Sequence, residues 1–307
     1  MSARLIDGRK IAQELRQELV PRIEELRKCK VVPGLAMVLV GMNPGSLTYV
    51  GAKAKACEKL GITSETVNLP ETAGTSSILS AVQQLNERRE IHGILVQLPL
   101  PSDVDPRQIA ECVLPEKDVD GLHPLNVGRL ASDRASFIPC TPAGILELLQ
   151  RTGNDPGGKE VVILGRSAIV GRPLALLLMA KRKGGNATVT VCHTATTDLK
   201  NHCRRADILV AATGQPEAVD GNMIKNGAVV IDVGVHRRKD PDTSKGYRLV
   251  GDVHFSSARD VASWITPVPG GVGPMTITML LRNTVQAAEQ LHQSRETSQP
   301  DTGKAGA

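Results

Sequence analysis

Apolar and polar residues are arranged along this chain in two patterns, one typical of strands and one typical of helices. Short strand-like runs, several of them continuously apolar as in strands buried on both faces, lie at 35–40, 63–69, 93–97, 159–164, 187–192, 206–214 and 228–235. Segments between them repeat their apolar residues every three or four positions, as amphipathic helices do. Strand and helix patterns that alternate in this way predict parallel sheets covered by helices, an α/β fold.

Two of the predicted helices contain proline. The pattern over 9–30 is that of an amphipathic opening helix, which we expect Pro21 to interrupt. A second helix is predicted over 143–150, with Thr141 as its N-cap and Pro142 at its first position. Both predictions treat proline as a marker of a helix boundary.

The C-terminal third contains a segment with neither the strand pattern nor the helix pattern. Three prolines and three glycines lie within 266–274, and we expect this segment to be irregular because proline removes backbone donors. A helix is predicted to follow over 275–290. The tail, 294–307, is polar and without a period, so we expect it to be disordered.

Composition narrows the class of protein. The chain has 307 residues, 41% of them hydrophobic, which is enough for two globular domains. Two Phe, two Tyr and one Trp leave few side chains to stack on bases, so we expect no nucleic-acid partner. The net charge of +5 comes from scattered basic residues and favours a small anionic substrate.

Targeting and cysteine patterns predict a cytoplasmic location. The N-terminus lacks a basic-then-apolar signal pattern, and no apolar run is long enough to cross a bilayer, so we expect no membrane partner. The six cysteines include no Cys-x-x-Cys pair. We therefore expect reduced, structural cysteines and no metal site.

The stretch 41–61 contains the first candidate for chemistry. A strand meets the turn at 43–45, Ser46 begins a predicted helix, and Gly61 ends it. Tyr49 and Lys53 are four residues apart and therefore share one helix face. A half-buried ring beside a solvated amine has the same spacing, but a phenol and an amine on one face also suit proton transfer to a ligand.

Two further polar groups follow predicted strands or loops in the same part of the chain. Gln97 ends the apolar run 93–97, where ligands of parallel sheets collect, and the prolines behind it stiffen the loop. The loop 115–126 then places Asp118, Asp120, a histidine and an asparagine within nine residues. Such a loop favours ligand binding over core packing.

A second kind of site is predicted after the run 159–164. Gly165-Arg-Ser-Ala-Ile-Val-Gly171 is a glycine turn between a strand and a helix, and the N–H groups of a helix start suit a pyrophosphate. The next strand ends in His193-Thr194 without the acidic residue typical of NAD sites. Because Arg166 can pair with a 2′-phosphate, we prefer NADP to NAD.

Five motifs in one order resemble the bifunctional methylenetetrahydrofolate dehydrogenase/cyclohydrolase family. They are Ser46-x-x-Tyr49-Val-x-x-Lys53, Gly93-Ile-Leu-Val-Gln97-Leu-Pro-Leu-Pro101, Pro115-Glu-Lys-Asp-Val-Asp120-Gly-Leu-His-Pro, Gly165-Arg-Ser-x-Ile-Val-Gly171-x-Pro and Thr266-Pro-Val-Pro-Gly-Gly-Val-Gly-Pro274-Met-Thr. The resemblance implies oxidation of 5,10-methylenetetrahydrofolate with NADP+, hydrolysis of the methenyl product to 10-formyltetrahydrofolate, and a homodimer.

The same resemblance implies a division into domains. A parallel-sheet N-terminal substrate domain would comprise 1–141, and a C-terminal helix, 275–293, would return to complete it. A Rossmann-like NADP-binding domain would lie at 142–274.

The resemblance also assigns residues to roles. Lys53 is similar to the catalytic lysine, Tyr49 to a ring that packs on the folate, and Gln97 to an amide that tunes the lysine. Asp120 matches a carboxylate that holds the pterin. The remaining folate contacts would be Leu98 and a wall formed by Pro269, Gly270, Gly271 and Val272, and the dinucleotide contacts would be Gly165, Arg166, Ser167, Ile169, Thr194, Thr213, Gly214 and Val235.

Three alternatives stand beside this interpretation, and the order of the motifs along the chain excludes the first. A short-chain dehydrogenase also uses a Tyr-x-x-x-Lys helix, but there the dinucleotide fold precedes the pair, whereas here Tyr49 precedes the Gly165 turn. A dehydrogenase without hydrolase activity would keep the fold and lose one reaction. A noncatalytic dinucleotide-sensing protein would bind NADP without turnover.

Overall fold

The computed structural model describes residues 2–243 and 246–298. The chain forms two compact units, and each combines parallel strands with helices, so the predicted α/β class is confirmed. One unit comprises residues 16–126 and the chain from Leu280 onwards. The other comprises the chain up to Leu15 and residues 127–279.

The first unit is built on a three-stranded parallel sheet with the order β3-β2-β4. Every residue of the central strand is buried, which explains its continuous apolar run. Its strands are β2 (Gly34–Val40), β3 (Thr63–Leu69) and β4 (Gly93–Val96), and the helices between and after them are α2 (Pro44–Leu60), α3 (Thr75–Glu87) and α4 (Pro106–Cys112).

The second unit is built on a six-stranded parallel sheet with the order β1-β11-β8-β7-β5-β6. The strands are β1 (Arg4–Leu5), β5 (Glu160–Leu164), β6 (Thr188–Cys192), β7 (Ile208–Ala211), β8 (Val229–Asp232) and β11 (Trp264–Ile265). A separate antiparallel hairpin consists of β9 (His236–Lys239) and β10 (Tyr247–Val250). The associated helices are α5 (Pro124–Ala131), α6 (Cys140–Arg151), α7 (Gly171–Met179), α8 (Leu199–Arg205) and α9 (Phe255–Arg259).

The two units differ from the predicted domains at the N-terminus, at 127–141 and at 275–279, all of which lie in the unit with the six-stranded sheet. Arg4 and Leu5 pair in parallel with Trp264 and Ile265, so the first strand belongs to the six-stranded sheet. The sequence gives no signal for this pairing because a two-residue strand is too short to show a period.

The opening helix α1 (Gly8–Lys28) continues through Pro21, so the predicted interruption was wrong. Proline in a helix interior costs about 3 kcal/mol. Each fully buried Leu or Ile side chain contributes about 1.5–3 kcal/mol, and five such residues line one stripe of the helix: Ile11, Leu15, Leu19, Ile23 and Leu26. The free energy gained by burying these five side chains is larger than the free energy lost at Pro21.

The C-terminal helix α10 (Val272–Ser298) is longer than predicted at both ends. The expectation of irregular structure was wrong for 272–274, because Pro274 lies at the third helical position, where no intrahelical acceptor is required for its nitrogen. Residues 294–298 are helical, so the predicted disorder was wrong for them. The rest of the predicted tail, 299–307, lies outside the described residues.

Two predicted helix starts also need correction. Helix α6 begins at Cys140, and Thr141 lies in its first turn with its hydroxyl 3.0 Å from that of Thr276, so Thr141 is not the cap. Pro142 fits the third position because the first helical N–H groups lack intrahelical partners.

Helix α2 begins at Pro44 instead of Ser46, and the side chain of Asn43 caps it.

Candidate active site

The helix α2 is positioned by caps at both ends. The side-chain oxygen of Asn43 accepts hydrogen bonds from the N–H groups of Gly45 and Ser46 at 2.9 Å and 3.2 Å. Gly61 ends the helix in the left-handed conformation with φ of 67°, which glycine adopts without a Cβ penalty. These caps fix the register in which Tyr49 and Lys53 leave the helix.

Lys53 and Gln97 form a bonded pair. The lysine is 8% exposed, and its Nζ donates to Oε1 of Gln97 at 2.9 Å. The Nε2 of Gln97 in turn donates to the carbonyl of Leu98 at 2.6 Å, which fixes which end of the amide faces the lysine. A buried amine with an oriented acceptor is held at a defined point at the carboxyl end of β4.

Tyr49 lies one turn before Lys53 on the same helix and is 41% exposed. Partial burial raises the pKa of its phenol above the usual value, so the ring stays neutral near pH 7. Met42 and Leu47 are exposed apolar side chains at the head of the same helix. The helix start therefore presents an apolar surface that suits a planar aromatic ligand.

The loop that carries Asp120 is held by its neighbours. Asp118 is buried and accepts hydrogen bonds from the N–H groups of Leu122 and His123 and from Nδ2 of Asn126, at 2.8–3.1 Å. On α10, Asn283 donates to the carbonyl of Val119 at 2.8 Å. The sequence pointed to Asp118 and the asparagine only as members of a polar loop, and Asn283 gave no signal because it follows an ordinary helical pattern.

A parallel bridge joins this loop to β4. Asp118 pairs with Ile94 of β4, and the N–H of Ile94 donates to the carbonyl of Lys117 at 2.8 Å. The chain turns directly after this bridge, because the N–H of Gly121 donates to the carbonyl of Asp118 at 3.2 Å, and the half-buried Asp120 lies in that turn. The structure thus places Lys53 against Gln97 and holds the turn of Asp120 in the same unit.

The glycine turn follows β5 as predicted. Gly165 has φ of +116°, and a Cβ there would meet the carbonyl oxygen of Ala212, so only glycine fits. The Ser167 hydroxyl accepts from the N–H of Val170 at 3.1 Å, and helix α7 starts at Gly171. Within the described residues, the N–H groups of 167–169 have no acceptor. A run of free N–H donors before a helix start fits an anionic phosphate.

The other predicted cofactor residues lie on loops at the same sheet edge. Thr194, Gly214 and Val235 are exposed and Thr213 is half-buried, and they follow β6, β7 and β8. Arg166 and Ile169 are exposed in the glycine turn. Because all six strands run parallel, these loops share the carboxyl edge where ligands of such sheets bind.

The predicted folate wall is mostly buried. Pro269 is exposed, whereas Gly270, Gly271 and Val272 are buried. A Cβ on Gly8 would meet the carbonyl of Gly271, so the start of α1 packs directly on this loop. Of the four residues, Pro269 is the one with surface to offer a ligand.

The described residues show neither a metal cluster nor a membrane-spanning helix. Residues 2–243 and 246–298 contain no group of three or more His, Cys, Asp or Glu side chains arranged to hold a metal ion. In that part of the chain no helix combines the length and apolarity needed to span a membrane.

Comparisons with known proteins identify the family of this chain. The model of the tetrahydrofolate dehydrogenase/cyclohydrolase catalytic domain matches residues 6–120, and that of the NAD(P)-binding domain of the same family matches residues 139–292. The chain is 51% identical over 290 residues to the bifunctional protein FolD of Moorella thermoacetica, covering 94% of this chain and 100% of the relative. It is 52% identical over 288 residues to the FolD protein of Syntrophus aciditrophicus, covering 94% and 98%.

Solved structures agree as well. The bifunctional FolD enzyme of Campylobacter jejuni has a TM-score of 0.87 and 44% identity, covering 94% of this chain and 99% of that one. The Trypanosoma brucei enzyme, solved with NADP and an inhibitor, has a TM-score of 0.89 and 43% identity, covering 94% and 98%. The chain described here belongs to the tetrahydrofolate dehydrogenase/cyclohydrolase family.

Proposed function

We propose that this chain is a bifunctional enzyme of folate one-carbon metabolism. It oxidises 5,10-methylenetetrahydrofolate to the 5,10-methenyl form with NADP+ and hydrolyses that product to 10-formyltetrahydrofolate. Family membership over most of the chain supports both activities. The observation that carries the hydrolysis is the buried Lys53 amine bonded to Gln97.

The two units have different roles in this proposal. The unit with the three-stranded sheet binds the folate through Tyr49, Gln97, Leu98 and Asp120. Its support is the apolar start of α2 and the firmly held loop that carries a carboxylate. The unit with the six-stranded sheet binds the dinucleotide. The resemblance also assigns a folate contact to Pro269 of that unit, with Gly270, Gly271 and Val272 as the buried backbone that holds it.

NADP+, when bound, supplies the acceptor for the hydride that leaves the one-carbon bridge. The residues of the chain bind and orient it. The free N–H groups of 167–169 at the start of α7 hold a phosphate, and Arg166 meets the 2′-phosphate. Gly165 shapes the turn, and Ile169 and Thr194 contact the dinucleotide beside it. Thr213, Gly214 and Val235 lie against the nicotinamide half.

The hydrolysis is a proton-transfer reaction at Lys53. A water molecule adds to the methenyl carbon while the neutral lysine amine accepts its proton. The bond from that carbon to N5 then breaks as the new hydroxyl group loses its proton and becomes the formyl oxygen, and N5 takes up a proton. The formyl group remains on N10, and the proton held by Lys53 passes to solvent, so one proton is released in all. Gln97 contributes the oriented oxygen that holds the amine in place, since its own amide group is fixed by Leu98.

We further propose that the enzyme is a homodimer and acts in the cytoplasm, as its resemblance to the family implies. Light scattering of the purified protein tests the first statement, with a mass twice that of one chain as the expected result. A fluorescent fusion imaged in the source cells tests the second.

Two absorbance assays with purified protein test the two activities. The first adds NADP+ to 5,10-methylenetetrahydrofolate and follows methenyl absorbance, and the second supplies methenyltetrahydrofolate alone. We expect NADP-dependent formation in the first and decay faster than in buffer in the second. Decay at the buffer rate would leave a dehydrogenase without hydrolase activity, and binding of NADP without any turnover would indicate a sensing protein.

The variant Lys53→Met tests whether Lys53 is the general base of the hydrolysis. We expect hydrolysis to fall by about 100- to 10,000-fold because a general base has been removed, while folding and NADP binding persist. Lys55→Met is the matched control, because Lys55 is exposed on the same helix two residues later. Normal hydrolysis by Lys53→Met would show that the role given to Lys53 is wrong.

A further inference from the structure

Two adjacent carboxylates are buried in the six-stranded unit. Asp232 ends β8 and is 4% exposed, and Asp252 follows β10 and is fully buried at 0%. Nothing in the sequence pattern marked either one, since Asp232 reads as the end of a strand and Asp252 as a turn residue. Carboxylates are rarely buried unless their oxygens are satisfied.

Asp252 accepts three hydrogen bonds from different segments. Its Oδ2 accepts from the N–H groups of Thr213 and Gly214 at 2.5 Å and 3.0 Å. Its Oδ1 lies 2.7 Å from Nε2 of His236 on the hairpin strand β9, which donates to it. One side chain therefore joins the loop after β7 to the hairpin.

Asp232 supports the neighbouring loop and Asp252 itself. Its Oδ1 accepts from the N–H groups of Gly234 and Asp252 at 3.0 Å and 2.8 Å, and its Oδ2 accepts from Val253 at 3.0 Å. Its own N–H donates to the hydroxyl of Thr266 at 2.7 Å. The segments after β7, β8 and β11 are thus tied to one buried pair.

Two glycines show how closely this pair is packed. A Cβ on Gly234 would meet the carboxylate of Asp252, and a Cβ on Gly251 would meet that of Asp232. Burial, aided by the charge of Asp252, raises the pKa of Asp232 to about 7, and the backbone donors act against this rise. Desolvation opposes the burial of the two carboxylates. The N–H groups that donate to them are therefore what stabilises the pair inside the fold.

The bonds of Asp252 also restrict what the Thr213-Gly214 segment can bind. Its two N–H donors are used inside the fold, so they are not available to a phosphate. A buried negative charge beneath the segment further opposes an anion. The segment suits an uncharged or cationic ring system, which is the chemistry of the nicotinamide half and not of the pyrophosphate.

We propose that Asp252, oriented by His236, is a positioning residue that sets the Thr213-Gly214 segment for the nicotinamide half of the dinucleotide. Asp232 does the same for the segment of Gly234 and Val235 and holds the backbone of Asp252. The inference rests on the proposed function, since it takes these segments as cofactor contacts.

The test separates cofactor binding from stability within one molecule, because hydrolysis of methenyltetrahydrofolate needs no NADP. For Asp252→Ala we expect KM for NADP+ to rise by about 10- to 100-fold with a smaller change in kcat. Hydrolysis should stay within about twofold of the wild-type rate. An unchanged KM for NADP+ in the folded variant would overturn the proposal.

Two more variants and a control complete the design. Asp252→Asn should restore most of the affinity, because its oxygen accepts the two N–H bonds and its amide donates to a neutral His236. His236→Ala should raise KM for NADP+ by a few-fold, about 3- to 10-fold, and Asp242→Ala, exposed on the same hairpin, should change nothing. If Asp252→Ala does not fold, His236→Ala decides, and an unchanged KM there counts against the proposal.

The wild-type assay keeps the two conclusions apart. If the wild type shows no NADP-dependent oxidation, the proposed function has failed and the positioning role fails with it. If the wild type turns over and the variants differ from it in hydrolysis as much as in KM for NADP+, the proposed function stands and the positioning role is overturned.

Discussion

The two candidate sites of this chain use different parts of the polypeptide. In the proposed site of the three-stranded unit, side chains provide the chemical groups: a buried amine, an amide and a carboxylate. In the six-stranded unit, the backbone carries it: a glycine turn with free N–H groups and loops held by N–H bonds to buried carboxylates. Substitutions should therefore act by different rules in the two units.

The difference follows from what each site binds. A proton transfer needs a group that can lose or gain a proton, and only side chains provide one. A phosphate needs several donors at fixed positions, which a helix start supplies without any particular side chain. In the side-chain site the residue type matters most, and in the backbone site the absence of a side chain matters most.

The largest test of this contrast is Gly165→Ala. We expect it to lower kcat/KM for NADP+ by at least about 100-fold, because Ala is strained at φ of +116° and its Cβ would meet the Ala212 carbonyl. Hydrolysis of methenyltetrahydrofolate should persist. Steady-state kinetics of both reactions, with circular dichroism to check folding, measures the effect.

Gly51→Ala is the matched control in the other unit. Gly51 lies on α2 between Tyr49 and Lys53, and a Cβ there meets nothing within 4 Å. Since Ala is also the better helix former, both activities should remain at wild-type level. If the two alanine variants behaved alike, the contrast between a side-chain site and a backbone site would be lost.

Sequence reasoning could propose the side-chain site because its residues are chemically distinctive. A Tyr and Lys four apart, and a Gln after an apolar run, are visible without coordinates, and the structure places Lys53 against Gln97. The parallel strands were also predicted, because burial on both faces leaves a continuous apolar run. The assignment of Asp120 to the pterin remains a prediction.

The supporting groups could not be predicted in the same way. Asp232, Asp252 and His236 are separated along the chain and meet only through loop geometry, so no local pattern marks them. Two helix boundaries at prolines were predicted wrongly. At Pro21 the burial of the apolar stripe of α1 outweighs the low helix propensity of proline. Pro274 lies in the first turn of α10, where its nitrogen needs no intrahelical acceptor. Long-range packing decides both kinds of feature.

An intermediate effect is expected at Arg166, a side chain that we propose adds selectivity to the backbone site. Arg166→Ala should weaken NADP+ by about 10-fold while changing NAD+ little, since a guanidinium pairs with the 2′-phosphate that NAD lacks. KM measured for both cofactors gives the ratio. Lys181→Ala, an exposed cation beyond the end of α7, is the control for general charge, and equal losses for both cofactors would contradict the assignment.

The smallest expected effect concerns stability at the opposite edge of the three-stranded sheet. His92 is buried, and its Nδ1 accepts from the N–H of Gly34 at 3.1 Å. Burial, with the charges of Arg295 and Lys117, lowers the pKa of His92 from 6.5 to about 4. The unfolded chain therefore binds a proton between these values that the folded chain does not, so this histidine destabilises the fold as pH falls from 6.5 toward 4.

His92→Gln keeps a hydrogen-bond acceptor and removes the titration. Melting temperatures of wild type and variant, measured from pH 7 to pH 4.5, should converge or cross as the wild type loses on the order of 1–3 kcal/mol that the variant retains. The raised pKa of Asp232, about 7, acts in the opposite direction in the other unit, so the difference between the two proteins is the quantity to compare. Because Asp232 is unchanged in the variant, a difference that stays constant with pH would show that His92 does not titrate as its burial requires.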